Sequence, residues 1–261
     1  PDTRVDRTVT SKVFKVQVLG EPAVIHVLTG EEDKDQRKSR LPKAYCFTVS
    51  TEISTFGGSS IGVHIRPRFI LTNKLASGIA YRQEGSKIKH ELASGGIEAI
   101  HADTLAEKPK LCVKLKDKAV WSGYFHLDKP GGIQIKVGEP GEHEESVMLQ
   151  VDVRELSFET WTITVSEYQA GFAPYRIENF TSDLLSYYQF KCESAEEMLQ
   201  PYASAVYTWD EPWMSHKVVI KLPGYGSLGA FPLDKVGATH VVSVPGTSGT
   251  RLDYGERHRN W

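Results

Sequence analysis

Apolar and polar positions alternate with a period of two along much of this chain. Phe14-Lys-Val-Gln-Val18, Val24-Ile-His-Val27, Cys46-Phe-Thr-Val49, Met148-Leu-Gln-Val-Asp-Val153 and Trp161-Thr-Ile-Thr-Val165 carry the pattern. Alternation built from β-branched and aromatic residues predicts half-buried strands. Turn chemistry separates them at Gly57-Gly58, Gly95-Gly96, Gly131-Gly132 and Pro223-Gly224. The best helical stretch is Ser194-Ala-Glu-Glu-Met-Leu-Gln200, and Pro201 limits it to a turn or two. Many short antiparallel strands at regular spacing predict an all-β protein of sandwiches or partly open barrels.

The pattern also repeats. Phe69-Ile-Leu-Thr-Asn73 returns as Tyr175-Arg-Ile-Glu-Asn179, an offset of 106 positions (179 − 73). The same offset carries Tyr81 onto Tyr187 and Gln83 onto Gln189. Much further on it carries Phe125-His-Leu-Asp-Lys-Pro-Gly131 onto Phe231-Pro-Leu-Asp-Lys-Val-Gly237. A register held over more than half a repeat means two copies of one structural unit. The fold class expected is therefore all-β, as two tandem antiparallel β-sandwich repeats. The first is expected over 41–140 and the second over 141–240. Residues 1–40 read as strands from the tail of a preceding copy, followed by the charged loop Glu31–Arg40. The acidic, turn-rich run Gly138–Glu145 lies where one copy gives way to the next, and 241–261 reads as an extended tail.

Composition narrows the function classes. The formal net charge is −2, a poor footprint for nucleic acid, which asks for a strongly basic face. No apolar run approaches a membrane span, and no secretory signal opens the sequence, so a cytosolic setting is expected. Cys46, Cys112 and Cys192 are widely spaced, with no second Cys or His at metal-finger spacing, and read as reduced, partly buried thiols. The histidines show no ligand spacing. No catalytic residue, cofactor or metal is expected.

Three motifs mimic active sites. Gly224-Tyr-Gly-Ser-Leu-Gly229 fits the dinucleotide fingerprint, but Pro232 and a strand-like pattern leave no helix after it to hold a pyrophosphate. Gly58-Ser-Ser-Ile-Gly62 fits a nucleophile elbow, which also needs a following helix, whereas Val63-His-Ile65 reads as strand. Asp210 and Glu211 are adjacent, so on a strand their carboxylates diverge; a turn fixed by Pro212 fits them better. Asn179-Phe-Thr181 is formally a glycosylation sequon, but it sits inside the repeat signature and reads as structural.

The paired asparagines, Asn73 and Asn179, each end an apolar strand and precede a polar stretch. Asn suits such a corner, because its amide bonds nearby backbone and it tolerates left-handed φ. Two readings stand beside each other: a buried amide satisfying a turn, and a direct contact to ligand.

These residues resemble a known family. Arg66-Pro-Arg-Phe-Ile-Leu-Thr-Asn-Lys-Leu-Ala-Ser-Gly-Ile-Ala-Tyr-Arg-Gln83 is similar to its repeat signature. So are Ala173-Pro-Tyr-Arg-Ile-Glu-Asn-Phe-Thr-Ser-Asp-Leu-Leu-Ser-Tyr-Tyr-Gln189 and Tyr207-Thr-Trp-Asp-Glu-Pro212. The family is the adaptor-binding (SHR-binding) region of the vacuolar-protein-sorting thirteen proteins, very long bridge-like lipid-transfer proteins. The resemblance covers most of 44–237. It implies an array of β-sandwich repeats, each with an invariant asparagine, here Asn73 and Asn179. It also implies recruitment of membrane-bound adaptors through short Pro-x-Pro peptides, with other repeats of the same longer chain as neighbours. Location would be cytoplasmic and peripheral, at contact sites of mitochondrion, endosome or vacuole, with the membrane reached through adaptors. The first copy lacks Trp-Asp-Glu-Pro and has Ala99-Ile-His-Ala-Asp103 there instead, so equal binding by both copies does not follow.

An extended proline-containing peptide can add to a sheet edge or lie in an aromatic-lined groove. Tyr187, Tyr188, Trp209 and Trp213 of the second copy are the expected pocket residues. Two further classes are open. One is a membrane-surface or phosphoinositide-binding module using Arg66, Arg68, Lys87 and Lys89. The other is a carbohydrate-active sandwich enzyme using Asp210 and Glu211.

Overall fold

The structure, a computed structural model, describes residues 23–28, 44–53, 60–103, 106–138, 147–157, 159–169, 173–234 and 237. The expectations for Phe14–Val18, the charged loop, Gly57-Gly58, most of the acidic run and the tail fall outside these residues. The fold is all-β. The chain divides into two compact units, and the first takes Val147–Phe172 along with everything before Gly138.

In unit 1, β1 (Ala23–Leu28), β2 (Ala44–Ile53) and β3 (Ile61–Pro67) form an antiparallel sheet in that order. β4 (Phe69–Asn73) follows at once, then β5 (Ile79–Gln83), β6 (His90–Leu92), β7 (Ile97–Ile100), β8 (Lys110–Leu115) and β9 (Phe125–His126). The unit ends with β10 (Gly131–Val137), β11 (Val147–Ser157) and β12 (Thr160–Glu167). One layer has the strand order β10-β11-β12-β4-β7 and the other β6-β5-β8-β9. Alternate residues of the two layers interdigitate as one core: Leu71, Tyr81, Val113, Phe125, Ile135, Val151, Ile163 and Val165 are among twenty buried members. This is the sandwich predicted from the period of two, and the strands expected at Cys46–Val49, Met148–Val153 and Trp161–Val165 all form. Gly131-Gly132, expected as a turn, instead opens β10.

One pairing departs from the antiparallel expectation. β12 lies parallel to β4, Trp161 opposite Phe69 through Val165 opposite Asn73. Parallel neighbours require a long crossover, which the chain between them supplies. That pairing also moves the division between units. The expected boundary at 140/141 falls between β10 and β11 of one sheet, so the compact unit runs on through β12.

Unit 2 contains β13 (Tyr175–Glu178), β14 (Leu185–Gln189), a 3₁₀ turn at Glu193–Ala195, β15 (Glu197–Leu199), β16 (Ser204–Tyr207), β17 (Lys217–Leu222) and β18 (Gly226–Pro232). The sheets are β13-β16 and β15-β14-β17-β18. These reproduce β4-β7 and β6-β5-β8-β9 strand for strand, so the sequence repeat is a structural repeat. The helical stretch expected at Ser194–Gln200 is corrected: only its start turns, and Glu197–Leu199 is drawn out as β15 by pairing with Leu185–Tyr187. Local propensity gives way there to a tertiary ladder.

Candidate peptide-binding site

The two asparagines occupy matching corners. Asn73 Nδ2 donates to Ser77 O (2.9 Å), Leu92 O (3.4 Å) and Ala93 O (3.0 Å), while its Oδ1 accepts from Leu75 N (3.0 Å). Asn179 Nδ2 donates to Asp183 O (2.8 Å), Leu199 O (3.3 Å) and Gln200 O (3.0 Å), and its Oδ1 accepts from Thr181 N (3.0 Å). Both residues are buried. Each amide ties the end of its strand to the loop that follows and to the turn after the third strand of the copy. These bonds go to main-chain atoms, which leaves the partner side chains free to differ; Asn179 Oδ1 accepts in addition from the Thr181 hydroxyl at 2.8 Å. Through these bonds each amide staples strand, loop and turn together.

The glutamines make a second pair. Gln83 Nε2 donates to His101 O and its Oε1 accepts from Asp103 N. Gln189 Nε2 donates to Glu211 O (2.9 Å) and its Oε1 accepts from Glu211 N (2.8 Å). The second clasp therefore holds the Trp-Asp-Glu-Pro turn in place. Glu211 Oε2 accepts from Trp213 Nε1 at 2.8 Å, and Pro212 O lies 3.1 Å from His216 Nε2. Glu211 thus braces this turn through both its backbone and its carboxylate.

Of the four aromatic residues expected to form a pocket, three lie in the fold's interior. Tyr187 is in the core and donates its hydroxyl to Glu197 Oε2 at 2.7 Å. Burial and that carboxylate push its pKa well up, so the phenol stays protonated. Trp209 packs edge-on to Tyr175 and Tyr207 and stacks on His216, with centroids 4.7 Å apart. Tyr188 faces the other side of its sheet, buried beneath the Lys221 ammonium at 4.6 Å. Trp213 alone of the four keeps a large accessible surface, 37%. The sequence showed the aromatics but not which side of the layer each would take. Phe180, Tyr202, Val206 and Met198, which sequence reasoning passed over, are more exposed than Trp213.

The fingerprint-like glycines are part of a hairpin. Gly224 and Gly226 have positive φ and make the hairpin between β17 and β18, so a strand stands where the fingerprint would start its helix. The elbow-like Gly58-Ser-Ser-Ile-Gly62 lies partly outside the described residues. Burial raises the pKa of the Cys46 thiol, and burial with nearby carboxylates lifts Cys192 to about 11, so neither is an activated nucleophile. Among the described residues, no group of three or more His, Cys, Asp or Glu is placed to hold a metal. Arg66 lies 3.7 Å from Glu52, Arg68 3.8 Å from Glu159 and Lys89 2.7 Å from Glu91. Three of the four cations expected for a membrane-facing patch are thus matched by carboxylates.

Unit 1 also holds a cavity of about 320 Å³, between β1-β2 and the strands of the sandwich. His26, Cys46, Arg68, Gln83 and His101 supply its polar wall and Phe69, Ile100 and Leu127 its apolar floor. Desolvation lowers the pKa of His101, which keeps that wall less charged. No local signal marks this space, because strands distant in sequence enclose it.

Comparison with known proteins identifies the unit that these corners build. The sequence model of the vacuolar-sorting associated protein 13 adaptor binding domain matches residues 5–216. The chain belongs to this family. The VPS13 adaptor-binding domain is thus a set of asparagine-stapled repeats here, and its family description is that of a binding module. Among similar proteins, the intermembrane lipid transfer protein vps13B of Dictyostelium discoideum is 26% identical over 231 residues, 84% of this chain and 4% of its own length. The intermembrane lipid transfer protein VPS13D of Homo sapiens is 27% identical over 176 residues, 62% of this chain and again 4% of its own length. The chain spans about 4% of the relatives it matches.

Proposed function

We propose that this adaptor-binding domain docks a longer lipid-transfer protein onto membrane-bound adaptors by holding a short, extended Pro-x-Pro peptide. The match to the family over residues 5–216 carries this reading. Docking of this kind is non-catalytic, needs no cofactor and puts the membrane at one remove, at organelle contact sites. The geometry supports the second copy as the reader. Gln189 holds the turn that bears Trp213, where the first copy has Ala99-Ile-His-Ala-Asp103 in place of Trp-Asp-Glu-Pro. A proline ring lacks an amide to give a ladder and gains most from an aromatic face, which Trp213 offers. Tyr187, Tyr188 and Trp209 then act by holding that surface in shape.

A fluorescence-anisotropy titration tests this, using a labelled Pro-x-Pro adaptor peptide beside its Ala-x-Ala counterpart. Saturable micromolar binding, lost in the alanine peptide and weakened about tenfold by Trp213→Ala, is the expected result, in line with loss of one aromatic anchor. A folded chain that binds both peptides alike would sink the proline-reading mode. Binding left intact by Trp213→Ala would move the site elsewhere.

A further inference from the structure

The cavity of unit 1 reaches the joint between β3 and β4, and Arg68 is the residue of that joint. Its main chain is held on both sides: Arg68 N donates to Cys46 O at 3.1 Å, and Arg68 O accepts from Trp161 N at 2.7 Å. Its side chain is tied less firmly. The guanidinium comes to 3.8 Å from Glu159, too long for a hydrogen bond, and Glu159 is itself about half exposed. Arg68 Nε is buried and has no hydrogen-bond partner among the described residues. A buried donor of this kind is an exception in folded proteins and asks for an acceptor.

The rest of the polar wall is largely committed. The Gln83 amide is taken by His101 O and Asp103 N. The Cys46 thiol and His26 Nδ1 lie 3.3 Å apart and take each other. His101 Nδ1 accepts from Cys46 N at 3.4 Å, so the neutral ring carries its proton on Nε2, which is a second donor. Glu107, the acid in this lining, is exposed and belongs to the mouth. Phe69, Ile100 and Leu127 of the floor are 4%, 2% and 1% exposed. A guanidinium and an imidazole N–H beside an apolar floor fit an anion with an apolar tail. The volume of about 320 Å³ holds roughly ten water-sized groups. At the repeat offset the second copy has Pro174 in place of Arg68, so the arrangement is peculiar to the first.

We propose that this cavity binds a small carboxylate with an apolar tail. The carboxylate accepts from the Arg68 guanidinium, which turns inward from Glu159, and from His101 Nε2. A tail of about eight carbons packs on Phe69, Ile100 and Leu127. The site is separate from the peptide surface at Trp213 and does not depend on it.

Methyl-resolved NMR of the full chain, titrated with octanoate below its micellar range and separately with phenylacetate, tests the proposal. At least one of the two should bind saturably, with Kd below about 1 mM and shifts centred on Ile100 and Leu127. Octanoate as the tighter ligand assigns a linear tail to the site, and phenylacetate a ring. Octanol and octylamine carry the octanoate tail without the anion and should bind about tenfold more weakly than the better carboxylate. Arg68→Gln should weaken that carboxylate about tenfold and leave octanol unchanged, a split that a merely loosened fold does not give. Ala102→Leu, which fills the space and keeps the charge, should remove binding, and Trp213→Ala should leave it as in the parent. Circular dichroism reports that each variant is folded. The proposal is overturned if neither carboxylate binds, or if shifts spread over the exposed apolar residues instead of the cavity. Octanol or octylamine binding as tightly as the carboxylate would also overturn it, as would full affinity in folded Arg68→Gln.

Discussion

The two repeats share a backbone plan and differ in what fills it. In unit 1 the strands β10, β11 and β12 complete a layer, and twenty buried apolar residues form one core. Among the described residues of unit 2 the matching core has five buried members, Tyr187, Leu199, Tyr207, Trp209 and Val218, with Tyr175 and Ile177 only half covered. The turns differ as well. Gly85 and Gly95 take left-handed φ of 76° and 67° in the first copy, while Lys191 and Tyr202 take 73° and 56° at the matching places in the second. Opposite the repeated tyrosines the polar partners change too: His90 stacks on Tyr81, whereas Glu197 accepts from Tyr187. The asparagine and glutamine amides stay constant through all of this. Apart from the Thr181 hydroxyl that Asn179 Oδ1 also accepts from, they bond to main-chain atoms, so they depend mostly on the path of the chain. A repeat can diverge widely around such staples and keep its fold.

The largest test of this contrast is truncation in the cores. Ile163→Ala empties a fully enclosed site in unit 1 and should cost about 3 kcal/mol, whereas Ile177→Ala in unit 2 should cost about 1 kcal/mol because solvent already reaches it. Hydrogen exchange resolved by segment reads each unit separately, and equal losses would mean that the two cores are equally packed. Next come the staples. Asn73→Ala and Asn179→Ala each strip buried carbonyls of their donor and should cost about 2 kcal/mol apiece, with similar values in the two units. A large difference between them would break the idea of one shared corner.

Smaller effects come from the turns. Lys191→Gly and Tyr202→Gly relieve side chains held at positive φ and should each stabilise unit 2 by about 1 kcal/mol, read as slower exchange of β14 and β15. The smallest expected effect is a pH dependence confined to unit 1. The Asp103 carboxylate, 2.9 Å from His90 Nε2, raises the His90 pKa above its ordinary value, against some desolvation. The stabilisation is fully present below the unfolded histidine value and is lost as pH rises through the raised one. His101 and His126 are shifted downward by burial and act in the opposite sense. The readout is therefore the difference between the parent chain and His90→Gln: the parent's advantage should shrink between about pH 6 and pH 8. An advantage unchanged over that range would assign His90 to packing alone.

Much of this was legible in the chain itself. A period of two and a register kept from Asn73–Asn179 to Gly131–Gly237 determined the strands, the all-β class and the presence of two copies. Alternation is a local property, and so is the preference of Asn for a corner. The candidate site was legible only in part. The sequence singles out Tyr187, Tyr188, Trp209 and Trp213, but three of them are interior, because burial depends on which layer lies above a strand. Only the tertiary structure decided that Glu197–Leu199 is a strand, since its partner Leu185–Tyr187 lies across a turn. It alone decided that β12 belongs beside β4, a pairing of residues about ninety positions apart whose energy no local window contains. The sequence set the periodicity of each strand and the residues of each staple, whereas long-range pairing chose the neighbours and hence which apolar rows the core covers.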